Sequence, residues 1–129
     1  MLTGKDYCDY DTSVALRELG YVGICDAYYE LTGNDSYNRD SFELLYTRDF
    51  IHPDDKDRVA APSLYQAQKW LREERGILLQ PTYLELSDKW VCVIRDKNKR
   101  HGYSAQKQKH YEEALSEGIK EAVKILKNQ

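Results

Sequence analysis

The sequence predicts an α+β fold: an antiparallel sheet of two β-hairpins with three helices, in the order α-β-β-α-β-β-α. Three observations carry this. One stretch, Val59–Arg75, has a sharp helix start and stop. A pair of strand-like segments lies on each side of it. The chain then ends in a long run of apolar residues at helical spacing. With 129 residues, one domain spanning 1–129 is expected, and such a length buries enough surface for a core without covalent staples.

The helix within Val59–Arg75 is set by its ends. Pro62 holds Ala61 out of the α region, and Ser63 is placed to cap the first turn. Leu64, Ala67 and Leu71 share one face with Trp70 beside them, and Gly76 is the stop. Earlier, Thr12 or Asp11 reads as an N-cap. Thr12, Ala15, Leu16 and Leu19 then form a short face that ends at Gly20.

The first hairpin follows. Cys25–Leu31 alternates, with Cys25, Ala27, Tyr29 and Leu31 on one face. Gly33-Asn34-Asp35-Ser36 supplies turn chemistry. Ser41–Thr47 alternates again through Phe42, Leu44 and Tyr46. Phe50–Arg58 reads as a charged loop into the central helix.

After Gly76, Ile77–Leu86 is a strand interrupted by Pro81. Proline has no N–H for a ladder, so this strand belongs at a sheet edge or carries a bulge. Ser87-Asp88-Lys89 turns the chain into Trp90–Arg95, which closes the second hairpin. Asp96–His101 is a polar, basic loop. Tyr103–Lys107 fits either a fifth short strand or, with Ser104 as cap, the start of the last helix. In that helix Tyr111, Ala114, Leu115, Gly118, Ile119, Ala122, Ile125 and Leu126 fall on one side. Glu112 and Glu113 near its start and Lys120, Lys124 and Lys127 near its end suit the helix dipole.

The expected core is Leu64, Ala67, Leu71, Leu115, Ile119, Ala122 and Leu126 against Cys25, Ala27, Tyr29, Val91 and Val93 or their opposite-face neighbours. If the protein pairs with itself by strand addition, Pro81 blocks its own strand. The contact is then expected at Cys25–Leu31 or Ser41–Thr47.

Composition bounds the function. Charged residues make up 32% of the chain and hydrophobic ones 41%, an ordinary soluble profile. No apolar run approaches the ~20 residues of a membrane span, and the N-terminus lacks the regions of a signal peptide, so a cytoplasmic location is expected. Cys8, Cys25 and Cys92 are odd in number and widely spaced, which predicts small buried hydrophobes and neither disulfides nor a zinc site. The net charge of −3 is uneven: residues 1–60 carry 6 Lys+Arg against 13 Asp+Glu, and residues 61–129 carry 13 against 9. Tyrosine is abundant, 11 against 2 Phe and 2 Trp, which suits half-buried strands and contact surfaces alike. Trp70 and Trp90 are expected at the core or its edge.

Two constellations stand out for chemistry. His52-Pro53-Asp54-Asp55 joins an imidazole to carboxylates, the residue types of metal or acid–base sites. The candidate polar site is His52, Asp54 and Asp55, with a metal-assisted hydrolase as the activity it would serve. The same run is ordinary turn chemistry. Arg95, Lys97, Lys99, Arg100, Lys107 and Lys109, with His101 and His110, form a basic cluster interleaved with Tyr103 and Tyr111. Such a cluster is a candidate nucleic-acid contact, although the whole chain is acidic, with pI ≈ 5.6. No G-x-G-x-x-G, P-loop, G-x-S-x-G or H-E-x-x-H motif occurs.

Some of these residues also carry a resemblance. Ala61-Pro62-Ser63-Leu64 with Ala67-Gln68-Lys69-Trp70-Leu71-Arg72-Glu73, a hairpin, and then Tyr111-Glu112-Glu113-Ala114-Leu115 with Gly118-Ile119 and Ala122, is similar to a group of small bacterial proteins of unknown function. They are found in gut-commensal genomes, often near prophage or other mobile-element genes. The similarity extends to Leu16, Leu19-Gly20-Tyr21, Cys25 and Tyr28-Tyr29. It implies a cytoplasmic α+β domain related to phage-encoded α/β sandwich domains, and no catalytic residues.

The expectation for function is a small interaction or accessory protein that binds rather than catalyses, with a protein partner or a second copy favoured over nucleic acid. No cofactor, metal, membrane or small-molecule ligand is expected.

Overall fold

The computed structural model describes residues 4–23, 25–30, 44–47, 50–97, 102–104 and 106–128. The chain is α+β and divides into two compact units, Met1–Ser63 and Leu64–Gln129. The two predicted hairpins do not share one sheet as expected. Each forms its own antiparallel sheet with a third strand, because Arg58–Ala60 and Gly102–Ser104 take edges at which the hairpins would have joined.

The first unit begins with a short 3-10 turn at Gly4–Asp6 and then helix α1, Tyr10–Glu18. The helix starts earlier than Thr12 or Asp11 suggested. Asp9 holds extended backbone angles and accepts from the Thr12 N–H at 2.8 Å, which supplies a partner the first turn lacks. The expected stop at Gly20 is present. Gly20 has φ +102°, its N–H donates to the Arg17 carbonyl, and the Tyr21 N–H reaches back to Leu16. That is a Schellman close, which needs a left-handed residue.

Strand β1, Ala27–Glu30, pairs antiparallel with β2, Leu44–Tyr46, and on its other side with β3, Arg58–Ala60. Cys25, Ala27 and Tyr29 are buried as the alternation predicted. The third strand lies where the sequence suggested only a charged loop running into a helix. Three residues are too few to show a period, yet Val59 is fully buried opposite Tyr29. Because β1 is flanked on both sides, its described residues Ala27–Glu30 form no sheet edge, which removes them as a site for strand addition. Of the other expected contact, Ser41–Thr47, the described part is the edge strand β2. Leu31, Phe42 and the turn at 33–36 lie outside the described residues.

The core of this unit is built on tyrosines. Tyr7, Ala27, Tyr29 and Ala61 cluster, with Tyr10 and Leu44 packed against them. The Tyr29 hydroxyl donates to the Cys8 carbonyl at 2.8 Å, and the Cys8 N–H donates to the Pro62 carbonyl at 2.9 Å. Buried phenols need such partners.

The second unit opens with helix α2, Leu64–Glu74, buried through Leu64, Ala67 and Leu71 as expected. Gly76 (φ +69°) ends it and leads into β4, Ile77–Leu84, which pairs along its full length with β5, Lys89–Asp96. The turn between them needs Asp88 at φ +53°. Strand β6, Gly102–Ser104, overlaps the start of Tyr103–Lys107 and pairs with β5, while residues 106 and 107 are neither strand nor helix. Helix α3, Tyr111–Lys127, then packs on β4 and β5, while α2 packs on β4 and α3. Its buried face is Ala114, Leu115, Gly118, Ile119, Ala122, Val123 and Leu126, with Val123 more deeply buried than Ile125.

Pro81 sits on an edge strand, as its missing N–H requires. The Leu79 carbonyl accepts from the Gln68 side chain at 2.9 Å, so it points away from β5. Backbone direction alternates along a strand, which places the Pro81 nitrogen on that same outer side. The edge is thus covered at Leu79 by α2 and silent at Pro81. Among the described residues, no helix is long and apolar enough to cross a membrane.

Candidate interaction surfaces

His52, Asp54 and Asp55 lie in one turn of the first unit, where His52 Nδ1 comes within 3.8 Å of an exposed Asp54 carboxylate oxygen while Asp55 is turned to other partners. The Asp55 carboxylate accepts from the N–H groups of Asp57 (2.8 Å) and Arg58 (2.9 Å) and from the Arg58 guanidinium at 3.2 and 3.1 Å. The backbone N–H of Asp57 first, then those of Arg58, hold this carboxyl below the ordinary range. His52 Nδ1 accepts from the Asp54 N–H at 3.0 Å, and the side chain of Asp54 is 91% exposed. The turn is anchored from α1, where Arg17 donates to the Asp55 carbonyl at 3.0 Å. These side chains build the approach to β3. Beside them a cavity of about 10 Å³, bordered by Ser13, Arg17, Tyr21 and His52, has room for a single water. No group of three or more His, Cys, Asp or Glu side chains is placed to hold a metal among the described residues.

The described Lys and Arg residues of the predicted basic cluster, Arg95, Lys97, Lys107 and Lys109, separate into two poles. Arg95 is exposed on β5 opposite Leu78, and the Lys97 N–H donates to the Gly76 carbonyl at 2.8 Å. Lys107 and Lys109 flank Gln108, which exchanges two backbone hydrogen bonds of 2.7 Å with Trp90 at the other end of the strand. The five residue steps from Trp90 to Arg95 put these poles about 17 Å apart. Lys99, Arg100 and His101 lie outside the described residues.

Alternation and register show what the sequence left hidden. Ile77, Leu79 and Pro81 face the same way as Cys92 and Ile94, toward α3. The opposite face carries Leu78, Gln80, Thr82 and Leu84 from β4 and Lys89, Val91, Val93 and Arg95 from β5. Its two charged side chains are both cationic. Gln80, Thr82, Lys89 and Arg95 are exposed, with Val91 buried among them.

An aromatic cluster lies on the α3 side. Trp90 contacts Tyr83 and Tyr111, each with ring centroids 5.3 Å away, and the Tyr83 hydroxyl donates to Asp88. This is edge packing, in keeping with the expectation for Trp90. All three cysteines are buried, and none is in a disulfide. Burial pushes the Cys92 thiol up to about 11. It also raises the Cys25 thiol, against a lowering contact from the Tyr21 hydroxyl.

The charge asymmetry coincides with the structural division. No charged residue lies at 61–63, so the first unit carries 6 Lys+Arg against 13 Asp+Glu, a balance of −7, and the second 13 against 9, a balance of +4. Compared with known proteins, the chain matches no family model, no curated protein and no solved structure.

Proposed function

We propose that the protein is a small non-catalytic interaction protein that works by binding. The observation that supports this reading is the division of charge between two compact units, −7 and +4. Charge segregated in this way steers association and selects partners of complementary charge. Both units also expose apolar side chains suited to contact: Val22, Tyr46 and Phe50 in the first, Tyr65, Tyr83 and Leu86 in the second. The resemblance drawn from the sequence makes a prophage or mobile-element setting, and the cytoplasm, the context of this proposal.

The polar turn supports no competing hydrolase, because Asp55 is committed to Arg58 and to the backbone of its own turn. Sedimentation velocity across a concentration series, with capture from lysate on the immobilised chain, tests the binding reading. A strict monomer that retains no macromolecule counts against it.

A further inference from the structure

We propose that the face of β4 and β5 bearing Lys89, Val91, Val93 and Arg95 takes the phosphate backbone of a nucleic acid. The proposal rests on the binding reading above and assigns it a surface and a partner class. Within the second unit α3 packs on the other side of the sheet, where Gly118 meets Cys92 and Leu79, and α2 packs against β4 and α3. On the opposite face, where Val91 is buried while Gln80, Thr82, Lys89 and Arg95 are exposed, every charged residue that β4 and β5 supply is basic. Lys89 and Arg95 stand six residues apart on one strand, about 20 Å. Lys107 and Lys109 add to the first pole through the pairing of Gln108 with Trp90, and Lys97 follows Arg95 at the second.

The spacing favours a charged polymer. A nucleic-acid strand carries one charge per roughly 3.4 Å of axis, so it meets two cationic poles in any register. A compact acidic protein must instead present two carboxylate groups at one matched distance. Between the poles, Gln80 and Thr82 are exposed hydrogen-bonding side chains that repel no phosphate. Contacts of this kind position a backbone and carry no sequence information. The acidic first unit opposes the approach of any polyanion, so binding is expected to be weak and sensitive to salt.

The test is fluorescence anisotropy of labelled oligo-dT and of a short labelled duplex, titrated with the full chain at several salt concentrations. Neutralising about four phosphates, through Lys89, Arg95, Lys107 and Lys109, gives a log–log salt slope near −3 for the single strand. The double variant Lys89→Gln/Arg95→Gln should weaken binding and lower that slope by about 1.4. Lys120→Gln/Lys124→Gln, on α3, should lower it far less, which controls for net charge. A matching melting temperature shows that each variant is folded. No anisotropy change at low salt with either probe overturns the proposal, as does a slope unaltered by the Lys89/Arg95 pair. A chain that self-associates yet ignores both probes overturns the nucleic-acid assignment alone and leaves the binding reading standing.

Discussion

Gly118 on α3 and Cys92 on β5 are packed so closely that no side chain fits between them. A Cβ at position 118 would lie 2.9 Å from Cys92 Cβ, nearer still to the sulfur, and 3.7 Å from Leu79. Helix and sheet therefore touch through a backbone on one side and a small thiol on the other.

Gly118→Ala should destabilise the protein despite alanine's better helix propensity. The propensity gain is about 1 kcal/mol, while overpacking a rigid core costs roughly 1–3 kcal/mol. A net loss of up to ~2 kcal/mol is expected from urea unfolding. Adding Cys92→Ala should recover only part of it, because the sulfur leaves but the 2.9 Å approach to Cβ stays. A more stable Gly118→Ala variant would show that the helix can lift off without cost.

Leu71 is fully buried on the inner face of α2. Leu71→Ala should cost roughly 2–5 kcal/mol through lost transfer energy and a cavity. Leu86, fully exposed at the β4–β5 turn, should tolerate the same change within about 0.5 kcal/mol. Equal effects at the two positions would contradict the assigned core.

Alkaline pH should weaken the first unit. Burial, reinforced for Tyr7 by Asp26, pushes Tyr7 and Tyr29 up to about 12. The unfolded phenol titrates near 10. The folded state thus favours the protonated form, and that contribution is complete below pH 10 and lost as pH rises through 12. Phenolate absorbance should show a group of tyrosines ionising only together with unfolding. A single titration of all tyrosines near pH 10, with the fold retained, would contradict the buried assignment.

Asp55 has the opposite sign. Its carboxyl is held low by the N–H groups of Asp57 and Arg58, so its contribution is present above the unfolded value near 3.9 and disappears as pH falls through the folded one. Asp55→Ala should lower the melting temperature at neutral pH, with the gap to the parent closing in acid. Added zinc or manganese should leave the parent unmoved. A metal-induced rise in melting temperature that His52→Ala abolishes would restore a catalytic reading of this turn.

Elements with a long enough period were legible before any coordinates. The faces of α2 and α3, the Gly20 and Gly76 stops and the edge position of Pro81 all follow from local chemistry. The misses were of two kinds. Strand β3 is three residues long and is a strand only because β1 offers it an unpaired edge, which no local pattern records. The N-cap of α1 went to Asp9 rather than Asp11 or Thr12 because acceptors compete there and geometry decides. For the surfaces, the basic residues were visible in the sequence but their sorting was not. Register alone shows that Lys89, absent from the predicted cluster, shares a face with Arg95, and that Lys107 stands a strand's length from Arg95.

The two sheets also differ in how far their chain must travel to close. Four residues join β4 to β5, so their ladder forms at little loop-closure cost. Tyr29 and Val59 pair across 30 residues of sequence, and that entropy must be overcome before any contact is gained. The two sheets should therefore appear in reverse of their order along the chain. In pulse-labelled hydrogen exchange during refolding, amides of Val91–Ile94 that bond within the β4–β5 ladder should gain protection before those of Tyr28–Glu30. A protein emerging from the ribosome N-terminus first thus makes its acidic half early and orders it late, with β1 waiting for the strand that completes its sheet.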